Sequence, residues 1–372
     1  MDSKDYKMIR FFRQLEKLID AGEVKNIGII TDKDGTIMID KELKNILKEI
    51  RTKSTKADIH IIANTGRTVA DMIECLRKEN IPLHYFDYII GDNGATCLDV
   101  RKKQEIFKNR MNAEDVDKAI EEFLAIGGKE HNIRITDGEH IYAYDTDEVR
   151  NYYKKSKNVI YMNSFENLDG IDITKLTLAG THDQITRVKK YIEQNIKRGK
   201  THLGQTSFPK KQDNNYRMDF TGEHTKGTAA KFIKKRIGLD TCIYLGNDLN
   251  DISMFVEGIK DGDFIVIVDS ADKKTAAVVK KYLDIECDER GKKLEEVKLL
   301  EVDEKDANKF LLKFYRILRN MERKNDTEQP MLNYPEMHQE SNRESKQKIK
   351  LQEKLLQIKK IESDKLQWNL IP

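Results

Sequence analysis

The sequence lacks long apolar runs, closely spaced cysteines and any sizeable net charge. No stretch approaches the run of about 18 apolar residues that spans a membrane. The first residues, MDSKDYKMIRFFRQL, include acids where a secretory signal has an apolar core. The 67 basic and 64 acidic side chains leave a formal charge of only +3. We therefore expect neither a membrane protein nor a secreted protein, and the charge indicates no nucleic-acid partner.

Four cysteines are spread along the chain without a C-x-x-C motif, and each lies among apolar residues: Cys75, Cys97, Cys242 and Cys287. Cysteines of this kind are typical of a reducing compartment, where they pack as small apolar side chains. We predict reduced thiols without a chemical role, in a cytoplasmic protein.

What the chain does contain is an apolar strand that delivers two acids into a turn. Residues 27–30, IGII, have the length and β-branched composition of a buried strand, and Asp32, Asp34 and Gly35 follow it. Open α/β sheets bind ligands just past the carboxyl ends of central strands. Two carboxylates this close repel each other unless a cation lies between them, and Mg²⁺ commonly binds carboxylates together with a substrate phosphate. The stretch therefore indicates phosphoryl chemistry.

On these residues alone, two structural interpretations stay open. The stretch could be a plain Asp-rich turn, or part of a calcium loop, because D-x-D-G overlaps the EF-hand pattern. An EF-hand loop has a third oxygen ligand before its glycine and a glutamate near its end. Here Asp40 and Lys41 follow instead.

Three later stretches favour the catalytic interpretation. Residues 61–67, IIANTGR, are a second apolar run that ends in a hydroxyl and a glycine. Residues 225–230, TKGTAA, place Lys226 at the start of a helical pattern, and residues 243–251, IYLGNDLND, end a third strand in an acidic loop. A hydroxyl and free amides at a helix start suit a phosphate, although Thr65 could also be a plain helix cap. The order of the motifs favours the phosphate role.

With these four motifs, the chain resembles the haloacid dehalogenase-like (HAD) superfamily over about residues 24–300. It resembles subfamily IIB in particular, which includes Cof-type, sucrose-phosphate and mannosyl-3-phosphoglycerate phosphatases. The resemblance implies an α/β fold, with a Rossmann-like parallel-sheet core and an inserted α+β cap of the C2 type. We expect the core in residues 1–95 and 217–300, the cap in 96–216, and a helical, partly flexible C-terminal extension in 301–372.

The resemblance also implies the roles of the catalytic residues. Asp32 would be the nucleophile that forms an aspartyl-phosphate, and Asp34 would first protonate the leaving group and then activate water. For the first of these steps, the pKa of Asp34 must favour the acid form. Thr65 and Lys226 would contact the transferring phosphoryl group.

Phosphate or substrate contacts are also expected from Lys33, Gly66, Lys226 and Asn250. Asn250 and Asp251 match the rest of the last motif, and they would contact phosphate or hold Lys226. We expect Lys33 to contribute its backbone N–H, because in extended backbone its side chain points away from both neighbouring acids.

The metal site is where the chain departs from the family. The implied Mg²⁺ ligands are Asp32, Asp34, Asn247, Asp248 and Asp251. The common pattern of the last motif is G-D-x-x-N-D, and here Asn247 stands in place of its first Asp. An amide oxygen can bind Mg²⁺ but brings no negative charge. Either Asn247 completes the metal shell, or the loop shifts to present Asp248; otherwise the loop is only an Asx-rich helix cap.

The cap is where substrate choice is expected. Its candidate residues are basic or polar and could hold sugar hydroxyls or a second anion: Arg134, Lys175, Lys210, Lys211, Asn214, Asn215, Tyr216 and Arg217. The turn at residues 91–95, GDNGA, resembles the point where Cof-like chains leave the core. We predict a structural turn there, without a catalytic role, because Asn-Gly supplies positive φ angles.

The C-terminal part lies outside the resemblance. Residues 325–341 are polar with two prolines and predict a linker, and residues 344–370 predict a highly charged helix. Leu351, Leu355 and Ile358 form a short apolar stripe, too short for a coiled coil. This helix could recruit a protein partner, associate with its own copy, or remain solvated.

Together these features predict a Mg²⁺-dependent hydrolase, a phosphatase for a small phosphorylated metabolite, with a sugar phosphate as the expected substrate. Two alternatives remain. A phosphosugar mutase would use the same nucleophile and keep its intermediate from water. A weakly catalytic binding or scaffold protein would use the C-terminal helix, and Asn247 is the feature that favours it.

Overall fold

The structure is a computed structural model, and it describes residues 3–52, 55–166, 168, 170–196, 199–205, 216–269, 273–291 and 293–326. The chain forms two units, residues 1–322 and 323–372, and the second is described only at its start, where the last helix ends. The predicted C-terminal helix and nearly all of the predicted linker lie outside the described residues, as do Lys210, Lys211, Asn214 and Asn215 of the cap.

The larger sheet of the first unit is centred on β1 (Asn26–Thr31). Parallel pairing joins it to β2 (Asp58–Asn64) on one side and to β12 (Thr241–Gly246) on the other. The full order is β14-β13-β12-β1-β2-β3-β4-β5, parallel as far as β3. The remaining strands are β3 (Tyr88–Gly91), β4 (Thr96–Asp99), β5 (Gln104–Lys108), β13 (Phe264–Asp269) and β14 (Lys298–Asp303). The predicted parallel α/β core is confirmed.

Helices cover both faces of this sheet, because side chains alternate along each buried strand. Ile27 and Ile29 of β1 belong to the apolar cluster on one face, and Ile30 belongs to the cluster on the other. The first face carries α1 (Ser3–Asp20), α2 (Lys41–Thr52), α3 (Val69–Lys78) and α10 (Glu304–Asp326). The second carries α7 (Lys226–Ile237), α8 (Ile252–Asp261) and α9 (Lys273–Glu289).

A second, six-stranded sheet lies between β5 and α7 in the chain, in the order β10-β11-β9-β6-β7-β8. Its strands are β6 (Ile133–Thr136), β7 (Ile141–Tyr144), β8 (Val159–Met162), β9 (Lys175–Gly180), β10 (Lys200–Gln205) and β11 (Tyr216–Thr221). Its helices are α4 (Ala113–Ala125), α5 (Asp147–Tyr153) and α6 (His182–Asn195). Side chains of α4 and α6 pack on one face of this sheet, which is apolar. The sheet and its helices are the expected α+β insert.

Sheet membership refines the proposed domain boundaries. β4 and β5 follow residue 95 but extend the larger sheet, whereas β11 pairs with β9 and β10 of the smaller one. At the C-terminal side, β14 is the edge strand of the larger sheet, and α10 buries Phe310 and Phe314 against it. We therefore propose that the cap spans about residues 109–221 and that the core continues to residue 322.

All four cysteines are free thiols, three of them buried and Cys75 half-buried, as expected from their apolar surroundings. Among the helices that the structure describes, none combines the length and the apolar character needed to cross a membrane.

A buried ion pair joins α2 to the carboxylate of Asp87, which precedes β3. Arg51 donates to Oδ2 of Asp87 and to the carbonyl oxygen of Tyr85, and the amide of Ile61 also donates to Asp87. Burial alone would raise the pKa of Asp87, but its contacts with His60 and Arg51 and the amide of Ile61 outweigh it and hold the pKa below its usual value. Asp87 is therefore ionised in the folded protein and compensates a half-buried guanidinium.

Replacing Asp87 with Asn should lower the free energy of unfolding by about 3 kcal/mol at neutral pH, because Arg51 then loses the charge that offsets its burial. The exposed pair of Lys56 with Asp20 is the matched control, where Asp20→Asn should cost less than about 1 kcal/mol. Urea denaturation of both variants gives the two values. Equal losses in the free energy of unfolding would show that the ion pair of Asp87 stabilises the fold no more than the exposed pair does.

The same pair predicts a pH dependence. The pKa of Asp87 is lowered on folding, so its contribution is complete above the unfolded value of about 3.9. That contribution is lost as the pH falls through the lower folded pKa. The stability difference between the wild type and Asp87→Asn should therefore stay constant near neutral pH and shrink below about pH 4.

Candidate active site

The predicted site lies where three adjacent parallel strands end. Asp32 follows β1, Thr65 follows β2, and Asn247 follows β12. Because β1 pairs with both of the other strands, their carboxyl ends share one edge of the sheet. The amide of Asp32 extends the pairing with a hydrogen bond of 2.9 Å to the carbonyl oxygen of Leu245. This edge is where an open α/β sheet binds its ligand.

Lys226 connects the first and last motifs through a buried ion triad. Its Nζ donates to Oδ1 of Asp32 at 2.8 Å and to Oδ1 of Asp251 at 2.7 Å. Thr225 caps α7, whose first residue is Lys226. The cap fixes the backbone at Lys226, whose side chain is fully buried. Asn64 also donates to the carbonyl oxygen of Lys226.

The triad has opposite effects on its members. Burial raises the pKa of Asp32 to about 7, opposed by Lys226 and reinforced by Asp251 and Asp34. For Lys226, burial acts to lower the pKa, but the carboxylates of Asp251 and Asp32 outweigh it and hold the pKa above its usual value. Lys226 is therefore protonated, and it lies beside Asp32, which is 5% exposed.

Asp251 holds Lys226, which is one of the roles predicted for it, and it is not placed as the predicted metal ligand. Its Oδ1 accepts from Lys226, and its Oδ2 accepts from the backbone amides of Asn247 and Asp248 at 2.9 and 3.1 Å. Both oxygens are thus engaged within the protein, so Asp251 positions the loop and the lysine instead of facing an ion. We therefore no longer assign it to the metal shell.

Asp34 turns away from Asp32 and pairs with Arg67. Nε and Nη2 of Arg67 donate to the two oxygens of Asp34 at 2.7 and 3.1 Å, and Nζ of Lys33 contacts the same carboxylate. The side chain of Lys33 therefore does not point away from both acids, as we expected it to. Although burial acts to raise the pKa of Asp34, Arg67 and Lys33 lower it to about 2. The expected acid form is not the form of Asp34 in this arrangement.

Thr65 and Gly66 form the second loop of the site. Thr65 is buried, and its Oγ1 accepts the amide of Arg67 at 3.2 Å, which closes a short turn before α3. The carbonyl oxygen of Gly66 accepts a hydrogen bond from Lys175 of the cap. The hydroxyl of Thr65 thus lies at the predicted edge, and the cap contacts the same loop.

Asn247 and Asp248 hold the third loop against the first. Oδ1 of Asn247 accepts from the buried hydroxyl of Thr36 at 2.9 Å, and its amide lies over Gly35, whose φ is +73°. A side chain at Gly35 would overlap that amide. Asp248 accepts the amide of Leu249, and burial raises its pKa. Thr36 was missed in the sequence because its partner is distant along the chain.

These oxygens fit the Mg²⁺ that the family implies. Asp32 and Asp248 offer carboxylate oxygens and Asn247 an amide oxygen, the hard donors that Mg²⁺ prefers. In the part of the chain that the structure describes, no group of three His, Cys, Asp or Glu side chains is placed to hold a metal ion. Mg²⁺ itself usually keeps several waters and binds one or two carboxylates together with substrate phosphate. The side chain of Asp34 is engaged with Arg67 and is not part of the set.

The turn that precedes β4 has a larger role than we predicted. Asp92, Asn93 and Gly94 all have positive φ angles, and a side chain on Gly94 would overlap the backbone of Thr225. Nδ2 of Asn93 donates to Asp219 of the cap at 2.9 Å, while its Oδ1 accepts from Asn250 at 3.2 Å. Asn250, expected to contact phosphate, is thereby linked to the cap.

Asp92 forms the second contact between this turn and the cap. It is fully buried and accepts hydrogen bonds from Thr136 and Thr174, with Nζ of Lys175 at 3.4 Å. Lys175 is therefore occupied by the core. Tyr216, another cap candidate, packs with the apolar cluster on the opposite face of the cap sheet. The other basic cap candidates in the described ranges, Arg134 and Arg217, lie on the face of the cap sheet that is not apolar.

Comparison with known proteins supports the assignment of the fold. Among solved structures, proteins with the same fold include one from Streptococcus mutans (18% identity, 79% of this chain and 99% of that chain, TM-score 0.57). Others are a Plasmodium vivax protein described as a HAD/COF-like hydrolase (18%, 82% and 99%, TM-score 0.56) and a haloacid dehalogenase-like hydrolase from B. subtilis (16%, 68% and 92%, TM-score 0.51). No curated protein sequence matches the chain.

The sequence itself matches the family model of haloacid dehalogenase-like hydrolases over residues 29–291. This range contains the four motifs and the whole cap, and it confirms the resemblance on which the expected fold depended. The chain belongs to the haloacid dehalogenase-like hydrolase family, and its fold is that of the Cof-type, subfamily IIB members.

Proposed function

We propose that this hydrolase is a Mg²⁺-dependent phosphatase for a small phosphorylated metabolite, acting through an aspartyl-phosphate on Asp32. The observation that supports this most directly is the triad of Lys226 with Asp32 and Asp251. A carboxylate buried to this degree can remain ionised only beside a fixed cation. Lys226 supplies that cation and acts against the rise in the pKa of Asp32, which favours the ionised nucleophile where a phosphoryl group would bind.

The first step forms a bond between a carboxylate oxygen of Asp32 and phosphorus and breaks the bond from phosphorus to the ester oxygen. Oδ1 of Asp32 is held by Lys226, which leaves Oδ2 to attack. Thr65 and Lys226 would stabilise the charge of the transferring group. Mg²⁺, held by Asp32 with Asn247 or Asp248, would supply further positive charge to the phosphoryl oxygens.

The second step is hydrolysis of the aspartyl-phosphate. Water attacks phosphorus, Asp34 takes the proton from the water, and Asp32 is released as a carboxylate. Arg67 and Lys33 keep Asp34 ionised, so its carboxylate can accept this proton. To protonate the leaving oxygen in the first step, the carboxyl group of Asp34 must move away from Arg67. The side chain of Asp34 is 52% exposed and lies outside the triad, so it has space for this movement.

The two alternatives make different predictions. A mutase would hold a long-lived phosphoenzyme and transfer the phosphoryl group back to a sugar. A scaffold protein would release no phosphate from any ester. The buried triad favours turnover over the scaffold role, because a site without chemistry gains nothing from a charged lysine and two carboxylates taken out of water.

Asp32→Asn should abolish phosphate release from phosphorylated metabolites, because the amide cannot act as the nucleophile. Wild-type release should require Mg²⁺ and stop with a chelator. Asp58→Asn is the matched control, since Asp58 is exposed at the opposite end of the neighbouring strand. Phosphate assays with circular dichroism check both activity and folding. Full activity of Asp32→Asn would contradict the assignment of the nucleophile.

Asp34→Asn should separate the two steps. With p-nitrophenyl phosphate, whose leaving group needs no protonation, the variant should release about one nitrophenolate per site in a burst. Hydrolysis of the intermediate should then be slower by about 10²-fold or more, since the base is missing. Mass spectrometry should find the phosphoryl adduct on Asp32. A steady rate equal to that of the wild type, with no adduct, would show that Asp34 is not the base.

A further inference from the structure

The cap presents a polar sheet face to the catalytic loops. Along β11, Met218 and Phe220 point into the apolar core of the cap, so Arg217 and Asp219 lie on the other face. In register with them, Arg134 of β6 lies opposite Thr177 of β9, which lies opposite Asp219. This face is directed at the core, because Asp219 contacts Asn93 there.

Most hydrogen-bonding groups on this face are already used. The two oxygens of Asp219 accept from Thr177 at 2.7 Å and from Asn93 at 2.9 Å, and Lys175 contacts the loop at Gly66. Arg217 differs from them. Its Nε lies 3.6 Å from Asp219, and within the described residues this buried nitrogen has no hydrogen-bond partner.

Arg217 is also positioned to meet a ligand. Its side chain is 33% exposed, and its pKa is raised by Asp219 of the cap and by Asp248 and Asp34 of the core. Asp34 is the residue that would face the leaving oxygen. A group carried by the leaving part of the substrate would therefore lie between Asp34 and the cap.

A second guanidinium lies on the same face. Arg134 is 8% exposed, and the rings of Tyr152 and Tyr153 lie 5.6 and 5.8 Å from its central carbon. Burial lowers the pKa of Arg134, and the nearby charge of Arg217 lowers it further. One carboxylate of the cap, Asp219, acts on both arginines, so this face has more positive than negative charge.

From this geometry we infer that Arg217, with Arg134 beside it, binds a second anionic group of the substrate. The inference rests on the proposed phosphatase function and narrows its substrate class. The substrate is then a phosphate ester whose leaving group carries a carboxylate or a second phosphate, instead of a neutral sugar. The planar fork of arginine binds either anion through two parallel hydrogen bonds, which a neutral hydroxyl cannot form.

The test compares esters that differ by one anion. Glycerol 3-phosphate and 3-phosphoglycerate differ by a carboxylate, and fructose 6-phosphate and fructose 1,6-bisphosphate differ by a phosphate. The wild type should have a higher kcat/KM for the charged member of at least one pair, and the pair with the larger preference identifies the anion. Arg217→Met should reduce that kcat/KM by about 10- to 100-fold and change the neutral member by less than about 3-fold.

Two further variants serve as controls. Arg217→Lys keeps the charge but loses the fork, so its preference should be intermediate. Arg187→Met removes an exposed arginine of α6 that pairs only with Asp183 in the described part of the chain, and it should leave the preference unchanged. A wild type without preference for either charged ester, or an equal loss on both members of a pair in Arg217→Met, would overturn the inference.

Binding to the inactive Asp32→Asn protein separates this inference from the proposed function. Calorimetry of the Asp32→Asn protein with Mg²⁺ should show that the charged ester binds more tightly than the neutral one. In the double variant Asp32→Asn, Arg217→Met, the two esters should bind with equal affinity. If that difference persists without Arg217, the subsite is wrong even when turnover is confirmed. If the affinity difference is lost when Arg217 is replaced, but the wild type hydrolyses no ester, the subsite is confirmed and the phosphatase assignment is wrong.

Discussion

The buried triad of Lys226, Asp32 and Asp251 is the interaction on which the site depends. Each ion loses several kcal/mol of hydration, and the attraction between the lysine and the two carboxylates offsets this loss through short hydrogen bonds. Asp251 gains further compensation from the amides of Asn247 and Asp248, and in accepting them it fixes the loop after β12. The triad therefore performs two tasks: its lysine opposes the rise in the pKa of the nucleophile, and its contacts join loops that follow different strands.

The core sheet was predictable because its central strands are local features. The runs before Asp32, Thr65 and Asn247 are apolar, short and end at polar turns, so pattern alone gives both the strands and the shared edge. The sheet edges were not predictable in this way. β14 mixes charged and apolar residues and is only partly buried. β4 is assigned to the core solely by its pairing with β3, and β5 by its pairing with β4. Pairing of this kind is not encoded in local sequence.

The candidate site, too, was predictable only where it depends on local sequence. Motif order predicted which residues meet, because each lies at a strand end or a helix start. Side-chain direction was not predictable, since it depends on partners far along the chain. Asp34 illustrates this: the family resemblance implied an acid form for the first step, whereas Arg67, which follows the neighbouring strand, keeps it ionised. The link from Asn250 through Asn93 to Asp219 likewise joins residues of the core and the cap.

The departure at Asn247 has an electrostatic consequence for the whole cleft. An aspartate there would add a negative charge next to Asp248 in the same loop, and that charge would repel a bound phosphate. The amide instead accepts a hydrogen bond from Thr36 and keeps the loop closed over Gly35 without that charge. Lys226 balances the carboxylates below, while Arg217 and Arg134 face them from the cap. A cleft with one carboxylate fewer and two guanidiniums opposite is electrostatically matched to a substrate with more negative charge than a single phosphate provides.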